Sequence, residues 1–172
     1  IIHDYEPRSI KITQPVLIQS FMDKFVLPGK KYLTPVPHGD QLCKEESDVS
    51  KEEHSNYCTG IGKLLHLMKY SHIACLNRVR ELSCYVSGPS KGHVKATMHW
   101  VMDYVVSERG LELKPNVVRG SNPDFEFTIL GCSDSNYAKD KDTRCSVASW
   151  SMFLCSTPVS TKNKMMQAVS LS

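Results

Sequence analysis

The chain predicts an α+β fold, a helical unit followed by the opening strands of an antiparallel meander. Three observations point there. Apolar residues in residues 56–110 recur at helical spacing in three successive runs. From residue 111 onward the pattern changes to alternating apolar and polar positions broken by turn signals. Before the helices, Pro28, Pro35, Pro37 and Gly39 punctuate a polar stretch that has no periodicity.

Taken in order, the chain opens with a short hairpin, its turn at Pro7-Arg8-Ser9 and its second arm at Ile10-Lys11-Ile12. A helix follows, with Leu17, Ile18, Phe21, Met22 and Phe25 on one face. Residues 27–55 read as an extended, solvent-facing connector with an acidic run at Glu45-Glu46. Residues 1–55 thus form the first of three regions. The second, residues 56–110, holds three packed helices. One carries Ile61, Leu64, Leu65 and Met68, and the next Ile73, Leu76, Val79 and Leu82, ending at Gly88-Pro89. The third starts near Ser90, carries Val94, Met98, Val101 and Val105, and stops at Gly110. In the third region, residues 111–172, Phe125-Glu126-Phe127-Thr128-Ile129-Leu130 leads a strand that ends at Asp134. A charged turn, Lys139-Asp140-Lys141-Asp142-Thr143-Arg144, precedes a second strand over residues 146–154, and a third covers residues 159–164.

Composition bounds the function. At 172 residues the chain can bury a sizeable core. A net charge of +3 without concentrated Lys/Arg runs permits nucleic-acid binding but does not argue for it. No apolar stretch reaches the roughly 20 residues that span a bilayer. Seven cysteines are scattered with no CxxC pair, which disfavours a zinc knuckle and fits a reducing compartment, cytoplasmic or nuclear. The chain opens on Ile and stops inside an apolar, strand-like run, so both ends read as cut from a longer polypeptide.

The chemistry-bearing candidates are few. Asp134 sits in Gly131-Cys132-Ser133-Asp134-Ser135-Asn136-Tyr137-Ala138, where small neighbours leave room for approach. It is either a turn cap or a carboxylate that holds a divalent metal beside a phosphodiester. Arg144, Lys162 and Lys164 can reach phosphates from one sheet face, against the plainer reading of a solvated face. Asp140 and Asp142 read as a solvated turn. His66, His72, His93 and His99 read as partly exposed helix residues, since none stands at metal-ligand spacing with another. Gly60-Ile61-Gly62-Lys63 lacks the full phosphate-loop spacing and reads as close helix packing.

The order of these segments resembles the C-terminal part of a copia-type retrotransposon polyprotein, where reverse transcriptase runs into ribonuclease H. Ile10-Lys11-Ile12-Thr13-Gln14 is similar to the family's I-x-I-x-Q stretch, and Thr34-Pro35-Val36-Pro37 to its TP connector. Tyr57 through Met68, with Gly62-Lys63-Leu64-Leu65-His66-Leu67, resembles its Y-x-x-x-x-G-x-L-x-Y-L helix, and Ile73-Ala74 stands where it writes RPDIA. Leu82-Ser83, Pro89 and His93 parallel its LS, P and H positions. The most specific block is residues 131–138 with Asp142-Thr143-Arg144-Cys145-Ser146, similar to GYSDADYA followed by D-x-R-x-S.

The resemblance implies an RNase H-like sheet whose first carboxylate is Asp134, one of a set that holds two Mg2+ ions about 3.5–4 Å apart on an RNA–DNA hybrid. It implies parental RNA-directed DNA synthesis and hybrid-RNA cleavage. The polymerase's Y-x-D-D and the later carboxylates of the ribonuclease site have no match here, so the stretch itself is expected not to hydrolyse RNA. Ser71-His72, Asn136 and residues 161–166 depart from the family pattern, which implies a diverged element. The alternative is a domesticated, non-catalytic module that binds nucleic acid or a protein.

Overall fold

A computed structural model describes residues 1–4, 9–25, 30–40, 42–45, 47–107, 111–113, 128–137, 139–140, 142–154 and 157–166. The chain is mixed helix and sheet, and its contacts divide it into two compact units. One is Thr13–Leu111; the other combines Ile1–Ile12 with Glu112–Ser172.

The first unit is helical. Helix α1 (Pro15–Lys24) begins with proline at its first turn, where the missing N–H costs nothing. It buries Phe21, and Phe25 is buried just past its end. Met22, expected on that face, is 53% exposed. Helix α2 (Lys51–Tyr70) starts inside the stretch expected to be connector. Ser50 accepts from the Glu53 N–H and the Glu53 side chain accepts from the Ser50 N–H, a capping box that satisfies two orphan donors. Glu53 makes that bond as a carboxylate, and the hydrogen bonds from Ser50 hold its pKa below the usual value.

The buried face of α2 is Tyr57, Gly60, Ile61, Leu64 and Leu67. Leu65 is 38% exposed, because it lies a quarter-turn beyond Leu64 and off that stripe. Each large apolar side chain buried here stabilises the fold by about 1.5–3 kcal/mol relative to exposure. A short 3-10 turn (Ile73–Cys75) leads into α3 (Leu76–Ser83), which ends earlier than Gly88-Pro89 and buries Val79 and Leu82. Tyr57 donates its hydroxyl to the Leu82 carbonyl at 2.6 Å, tying α2 to α3.

Helix α4 (Lys91–Ala96) passes through a π-helical turn (Thr97–Met102) into α5 (Asp103–Ser107). Thr97 donates its hydroxyl to the His93 carbonyl at 2.9 Å, a back-bond that loosens the regular ladder at that point. The widened turn puts Val101, Met102 and Val105 in the core, all fully buried. Gly60 makes room for it: a Cβ there would lie 2.5 Å from Met102 Cε. Gly62, expected to do likewise, has nothing within 4 Å.

The second unit is built of strands. Strands β1 (Ile2–Asp4) and β2 (Ser9–Ile12) pair antiparallel with Asp4 opposite Ser9, and β3 (Leu111–Leu113) lies beside β2. A separate three-stranded sheet runs β4 (Ile129–Asn136), β5 (Val147–Leu154), β6 (Thr157–Met165), antiparallel throughout. The third strand is longer than expected, and its register shifts opposite Met152 and Phe153. Residues 125–127, expected to lead β4, and Gly110, expected to stop the last helix, lie outside the described residues.

Candidate functional site

The sequence pointed to the meander, so its ladder decides what the candidate residues can do. Asp134 does not end its strand. Ser135 and Asn136 continue the ladder opposite Ala148 and Val147, which moves the turn further along the chain. The carboxylate therefore projects from the body of β4 and is exposed. The turn cap is instead Asp140, whose Oδ1 accepts from the Thr143 N–H at 2.8 Å and from the Thr143 hydroxyl at 2.7 Å.

Residues directly opposite in an antiparallel pair share a face. Asp134 stands opposite Ser149, which stands opposite Asn163. Ser133, Trp150 and Lys162 form the adjacent row on the other face, and Ser135, Ala148 and Lys164 the next row of that same face. Lys162 and Lys164 thus share a side, and Asp134 lies on the reverse. Arg144 sits in the turn before β5, exposed, in the left-handed region at φ 57°. Of the expected phosphate-facing group Arg144, Lys162 and Lys164, the two lysines stand on one side of β6, while Arg144 belongs to the turn and not to a strand.

The lysine face carries no acidic residue along the three strands: its other members are Ile129, Gly131, Ser133, Ser135, Ala148, Trp150, Met152, Leu154, Thr157 and Ser160. Trp150, 39% exposed, lies directly across from Lys162. The Asp134 face offers only neutral oxygens, from Ser149 and Asn163, as ladder neighbours. Among the described residues no group of three His, Cys, Asp or Glu side chains is placed to hold a metal ion. A two-cation site needs several converging carboxylates, so these residues do not fit a pair of Mg2+ ions.

The helical unit has a second polar constellation that sequence reasoning missed. A cleft of about 110 Å3 is lined by Asp40, Cys43, Glu45, Ser90 and His93. His93, expected to be a partly exposed helix residue, is 2% exposed. The Ser90 N–H donates to its Nδ1 at 2.9 Å, while the His93 N–H reaches back to Ser90 Oγ at 3.3 Å. The ring also stacks on Tyr85, with centroids 3.9 Å apart. Its chemistry is that of a helix cap: Nδ1 must accept, which places the neutral ring's proton on Nε2. His72 is likewise buried, its Nδ1 2.8 Å from Ser71 Oγ.

Beside the cleft, Arg78 is fully buried, and its guanidinium pairs with Asp40 of the connector and with Glu81 at 3.6 Å. Six described cysteines, Cys43, Cys58, Cys75, Cys84, Cys132 and Cys145, are thiols rather than disulfide halves. No described helix is long and apolar enough to cross a membrane. No protein-family model, curated protein or solved structure matches the chain.

Proposed function

We propose that this chain is a diverged stretch of a copia-type retrotransposon polyprotein, the helices that follow the polymerase palm running into the start of a ribonuclease H-like domain. The parental activities are RNA-directed DNA synthesis and Mg2+-dependent cleavage of hybrid RNA; this stretch is itself inactive. The order of the sequence motifs carries the reading. It is supported by Asp134 lying in the first strand of an antiparallel three-strand meander. The inactive reading is supported by the ladder, where the Asp134 carboxylate has two neutral side chains as its described neighbours. A reducing compartment, cytoplasm or nucleus, suits the thiols.

The test is an RNA–DNA hybrid incubated with the chain and MgCl2. The RNA is expected to stay intact. Cleavage that disappears in Asp134→Asn would overturn the inactive reading. The second reading, a non-catalytic nucleic-acid-binding module, is favoured by one observation: Lys162 and Lys164 share a sheet face that carries no acidic residue. It expects salt-dependent hybrid binding that Lys162→Glu with Lys164→Glu abolishes. Binding unaffected by that double change removes the lysine face from consideration.

A further inference from the structure

A groove of about 530 Å3 lies between the start of α1 and the C-terminal half of α2. That size is within the roughly 300–1,000 Å3 of small-molecule sites. Two cross-links hold its walls. Gln14 Nε2 donates to the Leu67 carbonyl at 3.3 Å and to Ser71 Oγ at 3.0 Å. Lys63 Nζ donates to the Ser20 carbonyl at 3.2 Å and to Ser20 Oγ at 2.9 Å. Pro15, Val16 and Leu17 make the lining mainly apolar, and no acidic residue takes part in it. Lys63 is half-buried, its ammonium 5.7 and 5.9 Å from the ring centroids of Phe21 and Phe25. Ser20 takes two of its three N–H groups, and among the described residues no carboxylate pairs with it. A partly desolvated ammonium without a counter-charge attracts an anion more strongly than a fully hydrated one does.

We propose that this groove binds a monoanionic amphiphile, a carboxylate carried on a hydrocarbon chain. The carboxylate accepts the remaining Lys63 N–H, a charge-assisted bond that fixes the head. The chain lies along Pro15, Val16 and Leu17, where burial of its methylene groups supplies most of the attraction. Charge decides between kinds of occupant. One lysine matches one carboxylate, whereas a phosphodiester backbone or an acidic helix presents a row of charges and needs a row of cations to meet it. An inorganic anion would leave the apolar walls in water. The inference is independent of the retroelement reading.

Titration calorimetry of the whole chain with decanoate, kept below the concentration at which it forms micelles, is expected to show saturable one-to-one binding. Decanol, which has the chain without the charge, is expected to bind about tenfold or more weakly, and acetate not measurably. Lys63→Met keeps the stem and removes the charge, so it brings decanoate down to the level of decanol. Val16 is 84% exposed, so Val16→Glu leaves the fold intact while setting a competing carboxylate at the groove, and it weakens decanoate several-fold. Decanol binding as tightly as decanoate overturns the proposal, as does decanoate binding that both variants leave unchanged. So does the absence of saturable decanoate binding, whether or not an acidic amphipathic peptide binds in its place. If circular dichroism shows Lys63→Met unfolded, Val16→Glu and the decanol comparison decide by themselves.

Discussion

At the scale of single residues, Arg78 is the most demanding group in the helical unit. Its side chain is 0% exposed, so the guanidinium has given up its hydration and depends on Asp40 and Glu81. Removing one partner leaves the other charge poorly compensated. Asp40 is 39% exposed and Glu81 stays behind, so Asp40→Ala is expected to cost about 2–3 kcal/mol, less than the roughly 3–5 of a wholly buried pair. Arg78→Met, which fills the space without the charge, is expected to cost less than Asp40→Ala. Urea unfolding of the two variants checks the ranking; the reverse order would show that the arginine contributes mainly through its ion pair. The arrangement was not legible beforehand, since nothing local to Asp40 in a Pro/Gly-rich stretch announces a partner 38 residues away.

At the scale of elements, what the sequence disclosed depended on how local the cause was. The stripes on α1, α2 and α3 follow from 3.6-residue spacing, and Phe21, Ile61, Leu64, Val79 and Leu82 are buried as that spacing requires. The start of α2 was also written locally, as Ser50 three residues before Glu53, but the surrounding acidic run masked it. The π turn was not legible, because it depends on where Thr97 places its hydroxyl and on the gap at Gly60. In the meander, Lys162 and Lys164 had to share a face, being two apart on one strand. Which face Asp134 takes depends on the pairing through Ser149 and Asn163.

The α2–α3 tie gives a testable case. Burial raises the pKa of the Tyr57 hydroxyl above its ordinary value of about 10. Above that pH the unfolded chain ionises this tyrosine while the folded chain keeps it protonated. The unfolded state then binds fewer protons, and stability falls as pH rises. Tyr57→Phe is expected to lose about 1 kcal/mol at neutral pH, since the Leu82 carbonyl also accepts from the Tyr85 N–H at 3.1 Å. Its stability is expected to decline less than that of the native chain above about pH 10. Chemical denaturation at neutral pH and across the alkaline range measures both.

At the scale of the whole molecule, burial is concentrated in one unit. The cluster that joins Phe21, Phe25, Tyr57, Ile61, Leu64, Leu67, Val79, Leu82, Val101, Met102 and Val105 lies wholly within Thr13–Leu111. In the β4–β5–β6 sheet, Val147 is the one described hydrophobic residue that is buried, and Ile129, Leu130, Trp150, Met152, Leu154 and Val159 are all at least 36% exposed. A sheet that leaves this much apolar surface in water gains little of the burial that offsets the entropy of ordering its backbone. Its opening free energy should therefore lie far below that of the helices, because local opening follows buried apolar contact. Native-state hydrogen exchange is expected to resolve two levels. Amides of α2 and α3 exchange only by the global reaction, while those of β4–β6 exchange earlier and with weak dependence on denaturant. Equal protection in the helices and the meander at low concentration would mean that the chain folds as one cooperative body.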